Sequence, residues 1–440
     1  MPTLDNLHEA LNNGTNDEIK SLICELHQSE IADVLESLPA KQRAKLWQIK
    51  TIKPESILPH LNENVRIELM LTMPVAEITA AAENMAIDDA VDILQDLPDE
   101  IVENILQTMN WQHRQRLTQV LFYPENSAGG LMNIDVLMVH TKMTLKVVLQ
   151  YLRGFKQLPE RTDALMVVDD DNYYRGMLLL TDLLTSVPKL TVAQVMSSEI
   201  EPISAHLSAH EVAILFEQRD LLSAPVVDKQ GLLIGRITID DVVDVIRSEA
   251  DHNLMGQAGL DEDSDMFAPT LVTTRERALW LGVNLATAFL AAYVIGLFEA
   301  TLEKMVALAI LMPIVASMGG IAGSQTLTIV IRGMALNQIS DTNILWLLRK
   351  ELAVGILNGI IWAIVVAIIA MLWFSNFELG IVIGCALLIN LSLAALSGVI
   401  IPFILNRLSI DPALASGVTL TTITDIIGFG TLLGLATIFL

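Results

Sequence analysis

Positive charge is scarce in this 440-residue chain: 27 Lys and Arg stand against 51 Asp and Glu, a formal net charge of −24. Nucleic acid is thereby excluded as a natural partner, since binding it depends on cationic side chains displacing counterions from phosphates. Cysteine is scarcer still. Cys24 and Cys385 lie far apart, so neither a disulfide framework nor a thiolate metal cluster is implied. There is no phosphate-binding glycine loop and no His pair at metal-ligand spacing, so the chain does not read as an enzyme. The opening residues MPTLDNLHEA have neither a basic start nor an apolar run, and no signal peptide is expected.

Apolar sequence is abundant, and it is concentrated at one end. Residues 1–274 hold 20 basic and 43 acidic side chains, while residues 275–440 hold only 7 and 8. Five apolar segments run approximately over 277–298, 305–331, 352–374, 379–405 and 415–440. At about 1.5 Å per residue each can cross the roughly 30 Å of hydrocarbon in a bilayer. Arg275 and Arg277 precede the first segment, Arg332, Arg349 and Lys350 separate the second and third, and Arg407 separates the fourth and fifth. The opposite side carries only Lys304. By the positive-inside rule the acidic N-terminal part is expected to be cytoplasmic, and five spans put the C-terminus outside.

Asp425 is the anomaly in this pattern. It lies about ten residues into the fifth segment, hence about 15 Å deep. An ionised carboxylate there costs at least about 2.5 kcal/mol on insertion scales. A protonated or structurally paired acid is the plain alternative. No Lys or Arg stands at comparable depth to pair with it, which favours a water-filled path that attracts cations. Thr419, Thr421, Thr422 and Thr424 supply hydroxyls nearby, with Gly417, Gly428 and Gly430 allowing close packing. The second segment carries PIVASMGGIAGSQTLTIVIRG, in which Pro313, Gly319, Gly320 and Gly323 weaken a helix while Ser324, Gln325 and Thr328 add polar groups. Interrupted helices at membrane depth belong where backbone is buried or lines a cavity. Gly319, Gly320, Gln325, Thr421 and Thr422 are therefore pore-lining candidates, close helix packing being an equal alternative for the two glycines. Asn284 and Asn390 read as helix–helix hydrogen-bonding residues rather than ligands. These donors are all oxygen, which suits Mg2+, Ca2+ or Mn2+ over Zn2+ or Cu2+. So few acids cannot build an all-protein cage, which favours Mg2+, an ion that keeps several of its waters.

The soluble part divides in two. Residues 1–130 read as short helices with apolar spacings of three and four, punctuated by Pro39, Pro54, Pro74 and Pro98; ADVLESLP and AVDILQDLP echo each other as a helical repeat. A break, YPENSAGGLM, follows at 123–132. Residues 131–247 contain a duplication: ALMVVDDDNYYRGMLLLTDLL at 164–184 aligns with SAPVVDKQGLLIGRITIDDVV at 223–243. Val167, Val168, Asp169, Gly176 and Asp182 recur as Val226, Val227, Asp228, Gly235 and Asp241. Each unit reads helix, strand, turn, strand, helix, led by Met132 or Met196, and the two together predict one α+β module. Residues 248–274 form a helix and linker into the membrane part at 275–440, and the acids of DEDSD at 261–265 read as a flexible, solvated run. The fold class is thus multidomain: an all-α domain, an α+β pair, and a polytopic all-α membrane domain of five helices.

With that order of parts the chain resembles the MgtE family of magnesium transporters over essentially its whole length. YPENSAGGLM resembles the family's join between its N domain and CBS pair, GGIAGSQTL its second-span motif, and DPALASGVTLTTITDIIGF at 411–429 its last-span signature. The resemblance implies a homodimer in the bilayer with one pore on the two-fold axis, lined by spans two and five. It further implies that Asp425 selects hydrated Mg2+ and that Asp411 is the acid at the cytoplasmic start of the last span. It implies as well that cytosolic Mg2+ closes the pore by bridging acids of the N domain, second CBS unit and connecting "plug" helix. Asp88, Asp89, Asp92, Asp220, Asp241, Asp244 and Glu249 match that acidic set. There are departures: Ile321 and Ser324 stand where Asn is common, and Ser208, His210, His252 and Asn253 stand where acids are common. They bear on the number and strength of regulatory Mg2+ sites. Some CBS pairs bind adenine nucleotides such as ATP, and the sequence leaves that open for this one. Two alternatives stand beside a Mg2+ channel gated by cytosolic Mg2+: the same scaffold passing Mn2+, Co2+ or Na+, and a nucleotide-sensing membrane anchor that moves no ion. A midplane acid has no use in the second.

Overall fold

The computed structural model describes residues 10–11, 16–49, 52–159, 161–260, 263–340, 342–408 and 410–440. It divides into two compact units, residues 1–249 with 263–269 and residues 250–262 with 270–440.

The first unit begins with short helices, among them α1 (Gln28–Glu36), α2 (Ala40–Trp47), α3 (Ile87–Gln95) and α4 (Trp111–Leu121). The prolines noted above stand at helix starts: Pro39, Pro74 and Pro98 occupy N-cap positions and Pro54 the first turn. The missing N–H costs nothing there, and the fixed φ helps the turn begin. Helix α1 is closed by a capping box in which the His27 N–H donates to Glu30 Oε2 at 2.8 Å. In α3 the apolar residues Ile87, Ala90, Val91, Ile93 and Leu94 are all buried. That leaves Asp89 and Asp92 on the less buried face, with Asp88 at its edge.

Two three-stranded sheets follow, β1 (Met138–His140), β2 (Ala164–Val168) and β3 (Tyr174–Leu179) in one, β4 (Ile203–Ser204), β5 (Ser223–Val227) and β6 (Leu233–Thr238) in the other. In each the first pair is parallel and the second antiparallel, so the duplicated sequence gives duplicated topology. Helices α5 (Leu145–Leu152) and α6 (Leu180–Thr185) belong to the first sheet, α7 (Ala209–Arg219) and the start of α8 (Ile239–Gly256) to the second. The short leading strands β1 and β4 are an addition to the sequence reading. The leaders of the two repeats are also exchanged. Asn133, ahead of the first repeat, bridges Arg236 on β6, while Ser197, ahead of the second, bridges Met177 on β3. This exchange explains the repeated glycines. A Cβ on Gly235 would lie 2.7 Å from Met132 Sδ, and one on Gly176 would lie 2.5 Å from the Ser197 carbonyl oxygen. Each glycine clears the path of the other repeat's leader. Helix α8 runs unbroken through residue 247, so the expected boundary between CBS pair and plug helix falls inside a helix.

The second unit holds α9 (Thr270–Gly296), α10 (Ala307–Ala335), α11 (Ile344–Phe374), α12 (Phe377–Arg407) and α13 (Pro412–Phe439), five helices long and apolar enough to cross a membrane. Small residues set their spacing. A Cβ on Gly398 of α12 would lie 2.8 Å from the Gly323 carbonyl oxygen of α10, and one on Gly323 would lie 2.9 Å from Leu420 of α13. Such contacts let backbones approach where lipid offers no hydrophobic drive between helices. Glu351, buried in α11, accepts from Thr326 of α10 at 3.3 Å and pairs with Lys350.

One correction concerns residues 261–265, expected to be solvated. Asp261 and Glu262 fall outside the described residues, but Asp265 is half-buried and pairs with Arg43 at 2.8 Å. Arg43 is itself fully buried, donating also to the carbonyls of Leu35 and Leu38 at 3.1 and 3.0 Å and pairing with Glu68. A charge so enclosed is tolerated only because every direction of its guanidinium is met. Arg43→Ala is expected to destabilise the first unit by about 3–5 kcal/mol, leaving the half-buried Asp265 without its cation and the Leu35 and Leu38 carbonyls without their donor. Thermal or denaturant unfolding of the 1–269 region against wild type measures it.

Candidate functional site

Helix α10 presents one continuous face. Ile321, Ser324, Gln325, Thr328 and Ile329 are exposed, at intervals of three and four, while Gly323, Thr326, Leu327 and Val330 between them are buried. That exposed face and α13 make a groove of about 860 Å³, lined by Ala316, Ser317, Gly320, Ile321, Ser324, Gln325, Thr328, Ile329, Thr421 and Asp425. Asp425 is half-buried near the middle of α13. No described residue hydrogen-bonds or ion-pairs with its carboxylate. The hydroxyl of Thr421 donates to the Gly417 carbonyl at 3.0 Å, so its donor is used within the helix and its oxygen is left as an acceptor. The groove thus offers a carboxylate, hydroxyl oxygens and an amide, which is the chemistry of a cation's water shell.

Of the pore-lining candidates, Gly320, Gln325 and Thr421 line this groove. Gly319 is buried and faces Asn390 instead. Thr422 is not among the lining residues, and its hydroxyl donates to the Val418 carbonyl at 2.7 Å. Asp411 caps the start of α13, accepting from the Ala413 N–H at 2.8 Å, and its other oxygen meets His252 Nε2 of α8 at 2.5 Å. The histidine that replaces an expected acid here pairs directly with an acid.

The regulatory candidates gather in the first unit. A cavity of about 380 Å³ between α3, α7 and α8 is lined by Asp88, Asp89, Asp92, Asp241, Asp244 and Glu249, together with Arg66, Glu125 and His210. Asp88 accepts from Asn133 Nδ2 at 3.0 Å, and Asp241 accepts from the N–H and hydroxyl of Thr238 at 3.3 and 3.1 Å, capping α8. Glu249 meets His210 Nδ1 at 2.7 Å. Asp220 is not among the lining residues; it ends α7 in the left-handed region at φ 51°, exposed. Sequence reasoning missed Arg66, Glu125 and Asn133, which come from other segments and carry no local pattern.

Crowding of like charge leaves its mark on these acids. Burial first, then repulsion from Asp88 and Asp240, pushes Asp241 up to about 8 from the ordinary 3.8. Burial likewise pushes Asp89 and Asp92 up to about 7, against the pull of Arg161 and Arg66 respectively. Asp88 and Asp244 are raised for the same reason. Among the described residues no three acid, His or Cys side chains converge to hold a bare metal ion. A divalent cation here would be held through its waters, as suits Mg2+.

Known proteins carry the same parts in the same order. Residues 312–435 match the MgtE family of divalent cation transporters, residues 26–126 the MgtE intracellular N domain, and residues 128–189 and 192–248 a CBS domain each. The magnesium transporter MgtE of Bacillus subtilis (strain 168) is 30% identical over 431 residues, 98% of this chain and 96% of that protein. The magnesium transporter MgtE of Thermus thermophilus is 28% identical over 440 residues, 99% of this chain and 98% of that one. A crystal structure of the cytosolic domain of the Mg2+ channel MgtE in complex with ATP matches with a TM-score of 0.51 and 28% identity, covering 55% of this chain and 99% of that chain.

The raised acids give the cavity a pH dependence whose sign follows from linkage. Between the ordinary aspartate pKa of 3.8 and about 7 to 8, the assembled cavity holds protons that separated carboxylates would have released. The cavity as assembled is therefore most stable in acid and loses stability as pH rises through that window. With chelator present, protease digestion of residues 1–249 is expected to quicken between about pH 5.5 and about pH 8, and millimolar Mg2+ to slow it again at the upper end. Identical digestion under all four conditions would contradict the account.

Proposed function

The chain belongs to the MgtE family of divalent cation transporters, and on that premise we propose that it conducts Mg2+ across the membrane into the cytoplasm, with Asp425 as the selecting acid. The observation that carries this reading is an acid with no partner among the described residues, at the middle of an apolar helix, in a groove whose other polar side chains are hydroxyls and the Gln325 amide. A carboxylate in that setting needs a counter-charge or water. A hydrated Mg2+ supplies both, because its first-shell waters donate to Asp425 and to the acceptor oxygen of Thr421. The groove is open along one side, so a second copy facing it across a two-fold axis would complete a channel and place two such acids opposite each other. That arrangement supports a homodimer, with the acidic domains cytoplasmic and the C-terminus outside.

Closure by cytosolic Mg2+ follows from the acid cavity. Bare carboxylates on α3 and α8 repel, and a divalent cation between them offsets the repulsion. The closed arrangement gains by however much more tightly it binds the ion than the open one does. Helix α8 carries Asp241, Asp244 and Glu249 and continues without a break through the plug segment to Gly256, so sensor and plug share one helix. The direct pairs of His210 with Glu249 and His252 with Asp411 leave fewer carboxylates for Mg2+ in this chain. An adenine nucleotide on the CBS pair is supported by the ATP-bound cytosolic domain of its relative. Mn2+ or Co2+ as cargo is the competing reading, and a comparison of uptake rates separates them.

Two outcomes are expected. Asp425→Asn in proteoliposomes lowers Mg2+ uptake by about tenfold or more while leaving folding intact, the rate equivalent of losing roughly one charged contact. Near-normal uptake would remove Asp425 from the path. Asp241→Asn/Asp244→Asn keeps the capping oxygen of residue 241 but removes both charges. In patch recordings with Mg2+ varied only on the cytoplasmic face, this channel is expected to stay open where wild type closes. Closure at the wild-type concentration would move the sensor elsewhere.

A further inference from the structure

Asn390 of α12 is completely buried, in a helix that does not line the groove. Its Nδ2 donates to the Val315 carbonyl of α10 at 2.9 Å, and among the described residues its Oδ1 has no hydrogen-bond partner. Two glycines make room for the amide, one from each groove-forming helix. A Cβ on Gly319 of α10 would lie 2.3 Å from Nδ2, and a Cβ on Gly428 of α13 would lie 2.9 Å from the same atom. Real carbon atoms do not approach so closely, so both backbones are pressed against this one side chain. Their neighbours face the other way. Ala316 and Gly320, one residue beyond Val315 and Gly319, line the groove, as does Asp425, three residues before Gly428.

We propose that Asn390 is a positioning residue for the permeation path: it ties α10 and α13 together from behind, at the separation that sets Gly320 opposite Asp425. The inference rests on the transport reading above and adds a residue to it. The energetics argue against a role in stability alone. A buried amide with one half unbonded is costly, and a leucine of nearly the same shape would pack there without that cost. The tie also falls where α10 is weak. Pro313, two residues before Val315, has no N–H to give to the Ala309 carbonyl, so the turn before the tie has one ladder bond fewer. A hydrated ion senses small changes of groove width, because its waters must reach donors and acceptors on both walls at once.

The test uses the full chain in proteoliposomes, with uptake of Mg2+ and of Mn2+ measured separately, thermal stability followed in parallel, and Asp425→Asn as the blocked control. Asn390→Leu is expected to keep or raise thermal stability yet lower Mg2+ uptake by about tenfold and raise the Mn2+ to Mg2+ ratio. A residue with a merely structural role would lower stability and leave the ratio alone. Gly428→Ala is expected to impair uptake in the wild-type background, where its Cβ meets the amide, and to be partly relieved when combined with Asn390→Ala, which vacates the space. That pair carries the test if Asn390→Leu does not fold. Unchanged flux and unchanged ratio in a folded Asn390→Leu protein, or additive effects of Gly428→Ala and Asn390→Ala, overturn the inference. Absence of uptake by wild type overturns the transport reading and this inference with it, so the two failures are told apart.

Discussion

A carboxylate surrounded by hydrocarbon must be neutralised, paired or hydrated, and the membrane unit is arranged around that demand. Asp425 has no partner among the described residues, so the helix facing it cannot be apolar all round. Helix α10 meets this by giving one face to Ser324, Gln325 and Thr328 and the opposite face to Gly323, Thr326 and Leu327, which pack on α11, α12 and α13. The glycines follow from the same requirement. Two helices can share a narrow polar groove only if their far sides approach other helices closely, and Gly319, Gly323 and Gly398 are the points of approach.

The first unit poses the same electrostatic problem in a wetter setting. Asp88, Asp89, Asp92, Asp241 and Asp244 face one cavity with Arg66 as the cation among its lining residues. Burial raises their affinity for protons, and whatever replaces those protons at neutral pH must carry positive charge. One rule thus serves both units: acids gathered without enough basic partners attract mobile cations. What differs is the consequence. On the proposed function the ion in the groove passes on, whereas one in the cavity favours by its residence one arrangement of α3 against α8.

Much of this was legible in the sequence, and the limits have physical reasons. The five spans and the duplicated α+β units follow from long apolar runs and matched segments, signals that persist over many residues. Strands β1 and β4 are only three and two residues long, too short for alternation to register. Asp425 stood out because its neighbours are apolar. Arg66, Glu125 and Asn133 did not, because each is an ordinary surface-type residue whose role appears only when distant segments meet. Asp265 is instructive in the same way: an acid in an acidic run reads as solvated until Arg43, far away in sequence, is found beside it. Gly319 and Gly320 were indistinguishable in sequence, and their roles separate by the hundred degrees of helix rotation between consecutive residues.

The exchanged leaders of the two CBS repeats have a mechanical consequence. The chain leaving the helical domain does not enter the nearest sheet in sequence; residues 127–133 attach to the second repeat, at Ser208 and Arg236. Helix α8 departs from that same repeat, directly after β6. A displacement of the segment leaving the helical domain therefore bears on the same sheet from which α8 departs, in addition to the direct facing of α3 and α8 across the acid cavity. The first repeat touches that path only from the side, through the bridges of its Met177 to Ser197 and of its Tyr173 to Leu232.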